Sequence, residues 1–133
     1  MTILNAQTFE PAHFMQLTNY LSQFYQLEEL ILRLSLNFQV SQEDKDTFYS
    51  IFNSFKLLRS LTLELKSQMG SLNDYDLEAL GSKLQSLSAL QKLDLAFDMN
   101  YDISDKGFIA LLRGITELKR LETLSDRKST RLN

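Results

Sequence analysis

Apolar and polar residues alternate in three short stretches of this chain, and each stretch is entered through two leucines three residues apart. Leu27, Leu30, Leu32, Leu34 and Asn37 make the first copy, Leu58, Leu61, Leu63, Leu65 and Gln68 the second, and Leu90, Leu93, Leu95, Phe97 and Asn100 the third. Strict alternation is the period of a strand with one buried face. It predicts strands over residues 30–36, 61–65 and 93–97. A weaker copy at Leu118, Leu121 and Leu124 predicts a fourth strand opening at Leu118, and Ile3-Leu4-Asn5 reads as the tail of a strand whose beginning is missing.

Between these stretches the apolar spacing changes to three and four, which is the period of an amphipathic helix. Phe14, Leu17, Leu21, Phe24 and Leu27 predict the first helix, and Pro11 suits its first turn. Ser41, Gln42, Glu43 and Asp44 offer capping groups and acidic charge to a second helix, with Phe48, Ile51, Phe52 and Phe55 as its buried stripe. A third helix carries Leu77, Leu80, Leu84 and Leu87 behind Asp74 as the expected cap. A fourth follows Ser104, with Phe108, Leu111, Leu112 and Ile115 expected to face inward.

Equivalent leucines recur after 31 residues (Leu27 to Leu58), 32 (Leu58 to Leu90) and 28 (Leu90 to Leu118), a range that belongs to solenoids. Helices alternating with short strands force the strands to run parallel, and units this short bury their apolar edges only by stacking on their neighbours. The chain thus reads as an α/β array.

The pattern Leu-x-x-Leu-x-Leu-x-Leu-x-x-Asn, followed by the Ile103-Ser104-Asp105-Lys106-Gly107-Phe108 type of helix start, resembles leucine-rich repeats of the ribonuclease-inhibitor-like class. More narrowly, it looks like the long repeat arrays of unicellular eukaryotes. The resemblance covers residues 27–124. It implies a curved solenoid with a parallel sheet on the concave side, helices on the convex side, and a protein partner held on the concave side. Gln68 departs from the usual Asn, and the second copy has one residue more than the third before its helix. At these turns Asn37, Gln68 and Asn100 are expected to be structural, because a carboxamide offers both a donor and an acceptor to backbone groups of the adjacent unit.

Composition narrows the function classes. The chain has 133 residues, 44% of them hydrophobic, enough for one continuous core. No Cys is present, which agrees with a reducing compartment and removes disulfides and thiolate metal sites. A formal charge of −3 argues against a general affinity for nucleic acid. No apolar run approaches the roughly 20 residues that cross a bilayer. The expected placement is soluble, without membrane association, in the cytoplasm or another intracellular compartment.

Residues 126–133 break the leucine pattern. The codons GAT CGG AAG AGC ACA CGT CTG AAC specify the same octapeptide, and that string resembles a sequencing adapter. Residues 1–125 are therefore read as the repeat array, a fragment of a longer one, and the last eight residues as a foreign tail whose removal takes the formal charge from −3 to −5.

Candidate chemistry is sparse. Asp98, Asn100 and Asp102 open like a calcium loop, but Ile103 stands where its sharp turn needs Gly and Ile109 where it needs a bidentate Glu. His13 is the only histidine and has no Cys or Ser partner in a known motif, and the four glycines are scattered. No catalytic residue, metal or cofactor is expected. The informative positions are those pointing away from the core on the strands: Arg33, Glu64, Lys66, Asp94 and Asp98, with the less polar Ile31, Thr62 and Ala96. Stacking in register puts Ile31, Thr62, Asp94 and Glu122 in one row, pairs Arg33 with Glu64, and pairs Lys66 with Asp98. The expected function is a protein-interaction module that takes a protein or peptide on this face, with self-association through uncapped ends. Two rivals stand beside it. One is the regulatory or substrate-selecting region of a larger protein kinase-type chain, although no His-Arg-Asp or Asp-Phe-Gly signature occurs here; the other is an architectural spacer.

Overall fold

The computed structural model describes residues 3–8, 11–36, 41–67, 72–98 and 104–129, and of these only the backbone at 3–8, 11–14, 35–36, 66–67, 98 and 126–129. Five strands, β1 (Ile3–Thr8), β2 (Glu29–Leu36), β3 (Ser60–Ser67), β4 (Lys92–Asp98) and β5 (Thr123–Ser129), form one parallel sheet in chain order. The helices α1 (Pro11–Leu21), α2 (Gln42–Ser50), α3 (Asp74–Leu84) and α4 (Asp105–Ile115) lie between successive strands. Right-handed crossovers between neighbours placed in this order put every connecting segment on the same side of the sheet. That leaves the other side open.

The alternation explains the core. Leu30, Leu61 and Leu93 share one register row, Leu32, Leu63 and Leu95 the next, and Leu34, Leu65 and Phe97 a third; all nine are buried. Each such side chain contributes about 1.5–3 kcal/mol relative to exposure, so the strands are held by this face. The intervening residues Ile31, Thr62, Glu64, Asp94 and Ala96 are half-buried and Arg33 is exposed. Phe48, Phe52 and Phe55 fill the helix side in successive edge-to-face contacts, with ring centroids 5.8 and 6.0 Å apart.

Several boundaries differ from expectation. The first helix ends at Leu21, and Phe24 and Leu27 are placed by the turns that follow. The second helix ends at Ser50 and tightens into a 3-10 turn, Ile51–Ser54, yet all four residues of the predicted stripe are buried. Strand β1 has six residues paired with β2 rather than the remnant expected at Ile3-Leu4-Asn5.

The fourth copy is shifted by three residues from the predicted frame. In each unit a turn bond precedes the strand: Leu27 N–H to Phe24 O, Leu58 to Phe55, Leu90 to Leu87, and Leu121 to Leu118. Leu121, not Leu118, is therefore the equivalent of Leu90, and the spacing becomes 31, 32 and 31 residues. A second recurring device ties each unit to the one before it, since the carbonyls of Glu28, Arg59 and Gln91 each accept two successive N–H groups at the next strand's start. The register row of Asp94 consequently holds Ser125 and not Glu122. Asp126 takes the register position of Leu95, and β5 extends into the segment read as a tail.

Candidate functional site

The strand register brings the predicted outward residues together on the open side of the sheet. Arg33 lies opposite Glu64, and its Nε reaches Glu64 Oε2 at 2.7 Å. Both side chains remain accessible, at 47% and 26%, so this pair contributes at most about 1 kcal/mol and is free to be replaced by contacts to a ligand. Lys66 lies opposite Asp98 in the backbone register, as expected, but their side chains are outside the described ones. Asp94 stands between Thr62 and Ser125. A further row, Glu29, Ser60, Lys92 and Thr123, belongs to the same face and was missed, because the sequence reading began its rows at the first leucine of each strand. Alternation carried two residues upstream would have found it. Neighbours within a row are about 4.8 Å apart from strand to strand, which makes a regular lattice of mixed charge.

The helix side carries a polar cluster that sequence reasoning did not find. Asp76 is buried and its carboxylate is saturated: Oδ2 accepts from Lys45 Nζ and from the Asn73 backbone N–H, each at 2.9 Å. Oδ1 accepts from Tyr49 O–H at 3.0 Å and from Gln42 Nε2 at 3.3 Å. Three of the four donors to Asp76 come from α2, so the cluster fastens one unit to the next. Burial, then the Asp76 charge, pushes the Tyr49 phenol well above its ordinary value and keeps it a donor. With four donors on its two carboxylate oxygens, Asp76 ties the start of α3 to α2. The available signal was Lys45 at a helix position that Leu77 and Phe108 occupy in later units, since a cation in a core slot requires a partner.

The cap of α3 is Asn73 and not Asp74. Asn73 Oδ1 accepts from the Asp76 N–H at 3.1 Å while Asp76 returns to the Asn73 N–H, a reciprocal capping box. Asp74 instead reaches forward one unit, where its carboxylate accepts from Ser104 N–H at 2.8 Å and from Ser104 O–H at 2.6 Å. These bonds hold the Asp74 carboxyl below its ordinary value. Ser104 caps α4 as predicted, through its Oγ and the Lys106 N–H. Helices α3 and α4 touch closely, because Gly114 lies against the backbone of Gly81 and any side chain there would strike it. An open groove of about 450 Å³ beside this contact is lined by Asp74, Glu78, Lys106, Ile109, Ala110 and Arg113.

Leu112, predicted to face inward, is exposed, whereas Leu111 and Ile115 are buried as expected and Phe108 is half-buried against Phe97. The turn carboxamides Asn37, Gln68 and Asn100 and the Asn100–Asp102 part of the calcium-like loop lie outside the described residues.

These features define an α/β protein of successive strand–helix units on one parallel sheet, with one side covered and the other open. No helix among the described residues is long and apolar enough to cross a membrane. No protein-family model matches the chain, and no curated protein is detectably similar to it.

Proposed function

We propose that this chain is a leucine-rich-repeat solenoid of the ribonuclease-inhibitor-like class, and that it is a binding module rather than an enzyme. Its ligand is a protein or peptide held on the open side of the sheet by Arg33, Glu64, Lys66, Asp94 and Asp98, the concave side in that class. The observation that carries this reading is the difference between the two sets of strand residues. Leu61, Leu63, Leu93 and Leu95 are wholly buried and account for the fold, while their neighbours Thr62, Glu64, Asp94 and Ala96 stay accessible and are not needed for it. A rigid sheet loses little ordering entropy on binding, and charges of both signs at fixed spacing set the register of a partner. An open, shallow sheet gives a small molecule too little enclosure, which favours a macromolecular ligand. The recurring carbonyls of Glu28, Arg59 and Gln91 support the repeat assignment, because the same bond pair recurs at each unit boundary.

The test is charge reversal. For a partner whose affinity to the 133-residue chain is measurable by calorimetry, Glu64→Lys with Asp94→Lys weakens binding roughly tenfold or more, or about 1.4 kcal/mol. The same reversal at Lys83 on the helix side leaves binding within twofold. Loss of binding with Lys83→Glu and indifference to Glu64 and Asp94 would move the site to the helices.

A further inference from the structure

The edge of α4 that lies on α3 is made of small residues at helical spacing, Gly107, Ala110 and Gly114. A methyl at Gly107 would strike Asp74, one at Gly114 would strike the Gly81 backbone, and one at Gly81 would come within 3.2 Å of the Ala110 carbonyl oxygen. The groove of about 450 Å³ lies along this contact. Gly107 and Ala110 form its floor, Asp74 and Glu78 of α3 one wall, and Lys106, Ile109 and Arg113 of α4 the other. Matching the buried Leu84 of α3 to the buried Ile115 of α4 sets Lys106, Ile109 and Arg113 against Tyr75, Glu78 and Ser82. Those three are exposed although α4 packs beside them, so these positions face outward whatever follows the helix. Ile109 is 49% exposed and takes no part in the core. Across the groove the charges are opposite yet unjoined, since neither Lys106 nor Arg113 makes an ion pair with Glu78 or Asp74 among the described residues.

We propose that this groove binds an amphipathic α-helix of a partner protein, acidic along one edge and basic along the other. Spacing selects a helix. Lys106 and Arg113 are seven residues apart on α4, which separates them by about 10.5 Å along its axis. A helix laid along α4 repeats that distance with carboxylates seven residues apart on one edge, whereas residues about 10 Å apart on an extended chain point to opposite faces. Apolar residues at spacings of three and four then run between the walls over Ala110 and against Ile109, and the small floor lets the partner's backbone approach. Glu78, level with Ile109, takes a lysine or arginine on the partner's other edge. A second copy of this chain does not fit, because its only carboxylates seven residues apart, Asp98 and Asp105, lie on β4 and α4 and not on one helix. The groove is on the helix side of the sheet, so this inference does not rest on the binding face proposed above.

The probe is a fluorescein-labelled synthetic helix of about 20 residues, stapled to hold its shape, with glutamates seven apart on one edge, leucines at spacings of three and four, and lysine on the other edge. Fluorescence anisotropy with the 133-residue chain gives saturable binding with a Kd of about 100 μM or tighter. Lys106→Glu with Arg113→Glu weakens it roughly tenfold or more and leaves circular dichroism unchanged, because both side chains are exposed. Lys106→Gln with Arg113→Gln serves if the glutamates disturb α4. A second probe with every charge reversed binds wild type weakly and recovers when Glu78→Lys is added to the two glutamate substitutions. Glu64→Lys with Asp94→Lys keeps binding of the first probe within about twofold. Failure of the first probe to bind, equal binding of both probes to wild type, or indifference to the changes on α4 overturns the groove as a helix site. Loss of the first probe with the Glu64 and Asp94 changes puts it on the sheet and overturns the groove as well, whereas the sheet-face reading stands or falls on its own partner.

Discussion

Replacing Asp76 by Ala removes the acceptor of four donors at once. Lys45 Nζ, at 2.9 Å, has a side chain only 6% exposed, so its charge would be left in a site that water does not reach. Removing one partner of a buried ion pair costs about 3–5 kcal/mol, most of it the desolvation of the remaining charge. Loss of the reciprocal cap at Asn73 adds about 1 kcal/mol. Lys45→Met is milder, because Tyr49, Gln42 and the Asn73 N–H still satisfy Asp76; about 1–3 kcal/mol is expected, within the cost of leaving one acceptor site less well served. The double variant should be less destabilised than the sum of the singles by about 1–3 kcal/mol, the coupling expected of residues in one network. For a chain of 133 residues an entropy of unfolding near 2.1 cal/mol/K per residue converts 1 kcal/mol to about 3–4 °C, so Asp76→Ala should lower Tm by about 10 °C or more. Thermal and urea unfolding followed by circular dichroism at neutral pH give all three values. A change within about 0.5 kcal/mol for Asp76→Ala, the range of an ordinary surface substitution, would refute the reasoning.

Gly114→Ala sets two effects against each other. Ala is preferred to Gly in a helix by up to about 1 kcal/mol, but Gly114 is buried in the last turn of α4, where the new methyl would press on the Gly81 backbone, which cannot turn aside, and overpacking costs about 1–3 kcal/mol. Net destabilisation is expected by thermal unfolding, and a rise in Tm would show that α3 and α4 are not in such close contact. The latch from Asp74 to Ser104 should weaken with acid. Because its folded pKa is depressed, the latch is fully formed above the unfolded carboxylate value of about 3.9 and is lost as pH falls through the folded value. Amide exchange at Ser104, corrected for intrinsic rate, should lose protection as pH falls below that range, and Asp74→Asn should abolish the pH dependence; unchanged protection in acid would remove Asp74 from the latch.

What the sequence disclosed follows from the range of the forces involved. Strands β2, β3 and β4 were legible because alternation of leucine is a local signal and a one-residue slip would expose the whole row. The fourth unit slipped because Leu118, Leu121 and Leu124 are equally spaced, so the two-leucine entry fits in two frames, and only the bond from Leu121 N–H to Leu118 O chooses between them. The α3 cap was missed by one residue because Asn73 and Asp74 are both good caps, and the choice is made by Ser104, one unit away, which takes Asp74 for itself. The cluster at Asp76 was not legible from local pattern, since its partners Lys45 and Tyr49 lie 31 and 27 residues earlier, about one repeat back. On the open face, register alone sufficed to pair Arg33 with Glu64, but no pattern in one strand says what ligand a row of accessible side chains meets.

The central claim is that successive residues of one strand belong to opposite sides of the sheet, one side holding the fold and the other, the side proposed for binding, contributing little to it. Leu95 is wholly buried and Ala96 is half-buried, in register with Glu64. Urea unfolding of Leu95→Asp and Ala96→Asp, with amide exchange across β3, β4 and β5, tests the claim most directly. Leu95→Asp loses about 2–5 kcal/mol of packing and buries a charge without a partner, so it should destabilise the chain by about 4 kcal/mol or more and release protection in both adjoining strands. Ala96→Asp should cost about 1 kcal/mol or less, chiefly from the like charge of Glu64 across the strands. Equal effects of the two substitutions, whether both harmless or both disruptive, would contradict the account.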